Sequence, residues 1–265
     1  MNNKNCVYLG VGNMGFSVFK ATAPYFLKSW NVTVVDKDRE KLEHARGLGA
    51  HNIQEYLPTD IDILFLGVRP QDLPNIYLED SSPSLIISMM AGVSCEEIIR
   101  HSPHSAIVRC MPNTPCENGD GITPIYFNGI SDFNYSSFIE SAQYLGELFF
   151  VNEESLIDSA TGISGGGPAY IMVIAEAMIK ASQELGFSYF ESKRLVAKTL
   201  EGSGKMLQKS DKLPATLAQD VMTPNGTTEQ GVNELKAQHV DRAIYEALLK
   251  ASHKAEKMAV PENRT

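Results

Sequence analysis

Several features are scarce or missing in this 265-residue chain, and each absence excludes a class of protein. Basic residues are outnumbered, since 23 Lys and Arg stand against 32 Asp and Glu for a net charge of −9. Nucleic-acid and anionic-membrane partners require basic patches, so we expect neither. No stretch of about 18 uninterrupted apolar residues is present, and we expect no membrane span. The first residues also lack the apolar run of a signal peptide.

Cysteine and histidine are too few and too scattered for a fold that is held together by disulfide bonds or by a metal ion. The four cysteines show no C-x-x-C spacing, and a chain of this length does not need a disulfide scaffold. His101 and His104 lie close together, but Ser102 and Pro103 between them indicate a loop rather than one helix face. Zinc requires three or four converging ligands, so we predict no metal site. A reducing, cytoplasmic location is the simplest expectation.

Strand and helix patterns alternate over the first half of the chain. Helical patterns lie at residues 16–27, 41–48 and near 95–100. Short apolar or β-branched runs predict strands at residues 6–9, 31–35, 61–68, 85–89 and 106–110. This rhythm is typical of a doubly wound, parallel α/β sheet of Rossmann type.

From about residue 151 the pattern becomes helical. Helices are predicted at residues 156–161, 169–185, 189–207, 214–220 and 228–259. Apolar residues spread around most of the helix between 171 and 181, which is typical of a central or interface helix. We therefore expect an α/β domain of Rossmann type at residues 1–152 and a smaller all-α domain at residues 153–265. The apolar helix predicts that the second domain forms a homodimer or higher homo-oligomer.

A G-x-G-x-x-G motif lies between the first predicted strand and the first predicted helix. Its members are Gly10, Val11, Gly12, Asn13, Met14 and Gly15. The first glycine permits a tight turn, the second lets the backbone approach a pyrophosphate, and the third allows close helix–strand packing. The helix N-terminus adds N–H groups and a favourable dipole. The alternative is a turn that binds nothing, but the position within a β-α-β unit favours a dinucleotide.

Asp36 ends the second predicted strand, where a carboxylate can accept from both ribose hydroxyls of NAD. It would repel the additional phosphate of NADP, yet Lys37 and Arg39 follow, and either could hold that phosphate. The alternative is that residues 36–39 are a solvated turn. The preference between the two coenzymes therefore stays open at this point.

Four further segments resemble the pyrroline-5-carboxylate reductase family, with its motifs in family order and spacing from about residue 7 to residue 259. They are residues 68–71 (VRPQ), 109–115 (RCMPNTP), 161–170 (TGISGGGPAY) and 221–231 (VMTPNGTTEQG).

The chain departs from the family pattern at four positions within these segments. Arg69 replaces lysine, Gly166 replaces serine or cysteine, Thr223 replaces serine, and Asn225 replaces glycine. Arginine keeps the charge but alters reach and geometry, threonine keeps a hydroxyl, and asparagine tolerates a positive φ. These changes bear on substrate affinity more than on the reaction class.

The resemblance implies an NADPH-dependent enzyme, with NADH as another donor, that reduces the cyclic imine L-1-pyrroline-5-carboxylate to L-proline in the last step of proline biosynthesis. Beyond the glycine motif, the expected coenzyme-binding residues are Asp36, Lys37, Val68, Arg69, Pro70, Gln71, Met111 and Asn113. The alternative for Asn113 is an asparagine that stabilises its own loop. Cys110 and Cys116, which flank this loop, are interpreted as small packing residues.

A turn and two hydroxyls at a predicted helix start form the expected substrate site. Backbone N–H groups and hydroxyls there can hold a carboxylate without an arginine. The residues concerned are Thr223, Gly226, Thr227 and Thr228. The resemblance implies that Thr228 is the catalytic residue that hydrogen-bonds or protonates the ring nitrogen. The alternative, compatible with it, is that the two adjacent threonines cap the helix.

Other functions compete with this interpretation. Hydroxyacid dehydrogenases share the layout but need a lysine on the first long C-terminal helix, and here the first lysine after the glycine run is Lys180, nearly a full helix away. A coenzyme-binding relative without turnover, acting as a sensor or partner protein, would fit the departures at Arg69, Thr223 and Asn225. A reductase of a neighbouring imine also stays open.

Overall fold

The fold is known from a computed structural model, which describes residues 4–128 and 132–259. Within these residues the α/β part contains eight strands and four α-helices. The strands are β1 (Asn5–Leu9), β2 (Asn31–Val35), β3 (Asn52–Gln54), β4 (Ile63–Leu66), β5 (Leu85–Ser88), β6 (Ala106–Cys110), β7 (Gly121–Asn128) and β8 (Gly146–Phe150). The helices are α1 (Asn13–Phe26), α2 (Arg39–Gly47), α3 (Cys95–His101) and α4 (Asp132–Ala142).

The strands form one twisted sheet in the order β3-β2-β1-β4-β5-β6-β7-β8. Neighbouring strands are parallel except β6 and β7. The order reverses direction at β1 and β4, and open α/β sheets bind ligands at the carboxyl ends of the strands beside such a reversal. The predicted Rossmann-type doubly wound sheet is confirmed.

Both faces of the sheet are covered, as expected for parallel strands that are apolar throughout. Successive side chains of a strand point to opposite faces, so Ile63 and Phe65 belong to one core cluster and Leu64 and Leu66 to the other. On the first face the ring of Tyr8 stacks on Phe65 with centroids 4.5 Å apart. These two apolar layers fix the register of the central strands and so the positions of the loops that follow them.

The chain continues as helices with several short non-α turns. They are α5 (Ser155–Ala160), α6 (Gly167–Glu184), α7 (Tyr189–Lys209), α8 (Pro214–Val221), α9 (Thr227–Ala237) and α10 (Val240–Ala259). A π-helical turn, Thr161–Gly165, joins α5 to α6. The last predicted helix is in fact two, because the chain breaks between α9 and α10 at His239, whose φ is +53°. That conformation cannot continue a right-handed helix.

Contacts divide the chain into two compact units, one of residues 1–168 with 250–265 and one of residues 169–249. This division differs from the predicted boundary at 152/153. Helix α5 groups with the sheet because Asp158 on α5 pairs with Arg109 on β6. The end of α10 joins the same unit, where the Ser252 hydroxyl donates to the Ser159 carbonyl at 2.9 Å.

One described segment, Ser155–Glu184, has the length and mean hydropathy (1.3) of a helix able to cross a membrane. Only 6% of its most apolar window is buried within the chain. Length and composition are the whole of this criterion, and an apolar helix at a subunit interface meets it equally well. The expected absence of a membrane span therefore stays a prediction.

Candidate active site

The glycine turn after β1 is packed tightly on two sides and open on a third. Gly10 has a φ of +84°, and a Cβ there would lie 2.8 Å from the backbone nitrogen of Val68. A Cβ on Gly15 would lie 2.1 Å from the Gly10 carbonyl oxygen. Side chains at these two positions would therefore push apart the turn, helix α1 and the loop after β4.

Gly12 differs from its two neighbours in the motif. A Cβ on Gly12 would meet no atom within 4 Å. Gly12 is also the N-cap of α1, which has no side-chain cap and no acidic residue in its first turn. The backbone N–H groups of Asn13 and Met14, the first residues of α1, thus lie where an anion can approach the start of the helix. These features fit a dinucleotide pyrophosphate.

Asp36 is directed at the glycine turn rather than at solvent. Its Oδ2 accepts from the Val11 N–H at 2.8 Å, and its Oδ1 accepts from the Asp38 N–H at 2.9 Å. The side chain is only 12% exposed. A carboxylate oxygen has a second lone pair, so the predicted acceptance from ribose hydroxyls is compatible with these bonds.

The cations beside Asp36 are more numerous than the sequence interpretation proposed. Lys37 and Arg39 are exposed. Lys41 places its Nζ 3.9 Å from Asp36 Oδ1 and 3.6 Å from Asp38 Oδ2. The sequence could have indicated this pair, because Lys41 follows Asp38 by three residues and such residues are neighbours on a helix. Asp38 itself caps α2 by accepting from the Glu40 and Lys41 N–H groups.

Residues 68–71 lie at the carboxyl end of β4, beside the glycine turn. Val68 is half-buried, and Pro70 begins a 3₁₀ turn, Pro70–Asn75. Arg69 and Gln71 are exposed. The Arg69 guanidinium makes two bonds to Asp72, Nε to Oδ2 at 2.9 Å and Nη2 to Oδ1 at 3.3 Å.

The loop after β6 is buried and internally bonded. Asn113 Oδ1 accepts from the Ile122 N–H at 3.0 Å, which is the loop-stabilising role weighed as an alternative. This bond uses one acceptor position of Oδ1, so Nδ2 and the second lone pair of Oδ1 are left to meet a ligand. Met111 is also buried, and a Cβ on Gly165 of the π-helical turn would lie 3.5 Å from its Cγ.

The four cysteines are free and buried. Burial, with a smaller contribution from neighbouring groups, raises the pKa of Cys95, Cys110 and Cys116 to about 12 each. A thiol that is held protonated in this way is not a nucleophile at neutral pH. Among residues 4–128 and 132–259, no three His, Cys, Asp or Glu side chains converge on a metal-sized site.

The expected substrate residues lie at the start of α9, in the second compact unit. Gly226 is the N-cap, and a Cβ on it would lie 2.2 Å from Thr223 Oγ1. Asn225 adopts a φ of +58°, as its replacement of glycine requires. Its N–H donates to Glu229 Oε2 at 2.7 Å, which fixes the turn against the first helical residues.

The N-cap of α9 is Gly226, which has no side chain, and Thr227 and Thr228 are the first two residues of the helix. Neither threonine therefore occupies the N-cap position that the capping alternative requires. Both threonines and Thr223 are exposed. Exposed threonines at and before the start of α9, together with the N–H groups of its first turn, suit a small carboxylate.

Comparisons with known proteins agree with this arrangement. A family model described as pyrroline-5-carboxylate reductase dimerisation matches residues 154–258. The chain is 32% identical to pyrroline-5-carboxylate reductase of Aquifex aeolicus, over 94% of this chain and 96% of that protein. It is 33% identical to pyrroline-5-carboxylate reductase 3 of Xenopus laevis, over 83% and 82%. The chain belongs to the pyrroline-5-carboxylate reductase family.

Solved structures of pyrroline-5-carboxylate reductases share the fold over nearly the whole chain. The Plasmodium falciparum enzyme with NADP bound superposes with a TM-score of 0.85, at 25% identity and with 98% of this chain and 99% of that one covered. The Coxiella burnetii enzyme gives a TM-score of 0.79 at 29% identity, with coverage of 98% and 100%. The predicted family resemblance is confirmed.

One charged cluster of this family member was missed at the level of sequence. Arg109 on β6 is 2% exposed and pairs with Glu154 and Asp158. In the sequence, Arg109 is the first residue of the family segment 109–115, and the pattern predicted no role for its side chain. A charged residue inside an otherwise apolar strand was the available signal, because an arginine is almost never fully buried unless it is paired.

Proposed function

We propose that this chain reduces L-1-pyrroline-5-carboxylate to L-proline, the last step of proline biosynthesis, with NADPH as the preferred hydride donor and NADH as a second one. Membership of the reductase family over nearly the full length of the chain carries the proposal. The open helix start at Gly12 supports it from the side of the coenzyme, because a Cβ there would meet nothing within 4 Å.

We assign the coenzyme to the carboxyl ends of the central strands. The pyrophosphate lies against the N-terminus of α1, residues 10–15, and the adenosine ribose lies near Asp36 and Lys37. Residues 68–71, Met111 and Asn113 line the path toward the nicotinamide. A bound nicotinamide supplies the hydride, and these residues only hold and orient it. Lys41 joins the assigned set, since its Nζ lies 3.9 Å from Asp36 Oδ1.

We assign the substrate carboxylate to the start of α9. The N–H groups after Gly226 and the hydroxyls of Thr223 and Thr227 are its donors, and the positive end of the helix dipole favours an anion there. Thr228 is the residue that donates a hydrogen bond to the ring nitrogen or relays a proton to it. Thr228 is exposed at the second position of α9, and the N-cap is Gly226.

We also infer that residues 153–265 act as the substrate and dimerisation domain, in line with the family model matched at 154–258. Large apolar side chains on α6 stay open to solvent in the single chain, among them Met172 at 64% and Val173 at 69% exposure. A second copy covering them accounts for such a surface better than solvent does. The cytoplasmic location and the absence of nucleic-acid and membrane partners remain predictions.

The test is the absorbance of the reduced coenzyme in the presence of pyrroline-5-carboxylate. Absorbance that falls with NADPH, and less steeply with NADH, supports the proposal, and proline should form in equal amount. If neither coenzyme is consumed while both still bind, the chain is a coenzyme-binding relative without turnover. If consumption requires another cyclic imine, the substrate assignment is wrong and the reaction class stands.

A further inference from the structure

A buried ion cluster, Arg109 with Glu154 and Asp158, lies beside the loop that the coenzyme assignment places near the nicotinamide. Arg109 Nη2 lies 2.7 Å from Asp158 Oδ1, and Nη1 lies 2.9 Å from Glu154 Oε1 and 3.3 Å from Asp158 Oδ2. Arg109 is the largest of the fully buried side chains. Burial alone would lower its pKa, but the bonds to Asp158 and then Glu154 raise the pKa above its usual value, so the guanidinium stays charged.

The same carboxylates hold the backbone of a second loop. Asp158 Oδ1 also accepts from the Gly92 N–H at 3.1 Å, and Glu154 Oε1 accepts from the Cys95 N–H at 2.7 Å. Gly92 lies in the loop after β5, and Cys95 is the first residue of α3. The cluster thus ties the segment after β5 to strand β6 and to helix α5.

These hydrogen bonds and ion pairs lie at the carboxyl ends of the strands, where sheets of this kind bind ligands. The loops after β5 and β6 both leave carboxyl ends of strands, on the side of β1 that lies away from β2 and β3. Two residues beyond Arg109, Met111 lies against the π-helical turn that follows α5, where a Cβ on Gly165 would be 3.5 Å from Met111 Cγ. The cluster therefore holds the first turn of α5, and the π-helical turn that follows α5 passes close to Met111.

A gain in stability is a weak explanation for such a cluster. Burying one cation with two carboxylates is costly, and apolar side chains of similar volume often serve stability as well or better. The charged groups do fix the relative orientation of the segments that carry them. Each of the four oxygens of Glu154 and Asp158 accepts hydrogen bonds only along its own lone pairs. Three of these oxygens are engaged with Arg109.

We propose that Arg109, Glu154 and Asp158 form a positioning network that holds the loops after β5 and β6 in the shape required by the nicotinamide half of the coenzyme. The proposal rests on the coenzyme assignment made above. None of the three is assigned a contact with the coenzyme. The network acts through Gly92, Met111 and the π-helical turn.

The test compares two ligands, NADPH and 2′-phospho-ADP-ribose, which keeps the adenosine half and the pyrophosphate but lacks nicotinamide. In Asp158→Asn we expect the Kd of NADPH to rise about tenfold or more, since a small displacement of a positioning loop is enough for such a loss. The Kd of 2′-phospho-ADP-ribose, measured by calorimetry, should stay within about twofold, as for an independent site. In the active enzyme kcat should fall as well, with little change in the KM of the imine.

Two further variants make the result decisive. Glu154→Gln is a milder change at a side chain that is 27% exposed, and it repeats the comparison if Asp158→Asn fails to fold. Arg100→Gln breaks the exposed ion pair to Glu96 on α3, 2.5 Å long, and is the matched control expected to leave both Kd values unchanged.

Equal weakening of both ligands, or of neither, in Asp158→Asn and Glu154→Gln would overturn the positioning role. The comparison of the two Kd values requires no turnover, so a failure of the positioning role can be distinguished from a failure of the proposed function. A wild-type chain that binds both ligands but reduces no imine would refute the reductase proposal and leave this inference standing.

Discussion

The carboxylate of Asp36 is bonded to the backbone N–H of Val11 at 2.8 Å, which ties the end of β2 to the glycine turn after β1. The same carboxylate accepts from the Asp38 N–H, at the cap of α2. One side chain therefore shapes the turn expected to hold the pyrophosphate and faces the site expected to hold the ribose. A change at this residue should affect the two coenzymes differently.

Replacing Asp36 by alanine should raise the KM of NADH about tenfold, because a charge-assisted bond to the turn and the acceptor for the ribose are both lost. The KM of NADPH should rise less, since the repulsion of its additional phosphate disappears as well. Steady-state kinetics with both coenzymes give the ratio. Asp38→Asn is the control, since it removes a nearby charge, keeps a side chain that caps α2 well and has no bond to Val11. A KM ratio that does not move in Asp36→Ala would contradict the assignment.

Serine in place of Gly12 should weaken coenzyme binding without unfolding the chain. The φ of −65° suits any residue, the added atoms enter open space, and serine is a good N-cap for α1. The added hydroxyl would occupy the N–H groups that the pyrophosphate needs. Fluorescence titration with NADPH should show at least about a tenfold loss of affinity, the size expected when a hydrogen bond to a charged group is lost, and thermal unfolding should show little change.

Gly15→Ala is the counterpart within the same motif. Its Cβ would lie 2.1 Å from the Gly10 carbonyl oxygen, so we expect a loss of about 2 kcal/mol in the free energy of unfolding. Calorimetry should register this as a Tm several degrees lower. Equal stability losses in Gly12→Ser and Gly15→Ala would mean that the two glycines do not differ in role.

Replacing Thr228 by alanine should lower kcat about 100-fold or more, the contribution typical of a positioned proton donor. The Kd of NADPH should stay unchanged, and so should the Tm, because Thr228 is an exposed helical residue and the N-cap of α9 is Gly226. Thr228→Ser keeps the hydroxyl and should restore most of the turnover. A Tm that falls together with kcat, or a serine variant as slow as the alanine variant, would show that Thr228 is structural.

A glutamate in place of Met172 should weaken self-association. Met172 is 64% exposed on α6 in the single chain, and a charge buried at an interface without a partner is strongly unfavourable. Sedimentation in the absence of detergent should give a dimer or larger assembly for the wild type and a smaller species for Met172→Glu. Lys180→Gln, at an exposed position of the same helix, should sediment as the wild type does. A wild-type chain that sediments as a monomer, or stays in solution only with detergent, would refute the dimer interface.

Local patterns predicted the central strands well and the outer part of the sheet poorly. β1, β2, β4, β5 and β6 are apolar runs buried on both faces, and such runs are visible in any window of sequence. β3 has only three residues, and β7 contains Pro124, which lacks the N–H that a strand interior normally donates. β8 is held by pairing with β7 and carries the exposed Phe149, so its burial pattern carries little information.

The features of the candidate site likewise fall into two groups, those that depend on neighbouring residues and those that depend on residues far apart in the sequence. The backbone conformations at Gly10, Asn225 and the start of α1 follow from residue type and neighbours, so composition and motif order were sufficient to predict a dinucleotide site and the reductase family. The bond from Asp36 to Val11 and the ion cluster around Arg109 join residues 25 and up to 49 positions apart. Pairings over such distances depend on strand order and on the depth at which a charge is buried. Tertiary structure alone brings those groups within bonding distance, and there the low dielectric of the interior makes each partner obligatory.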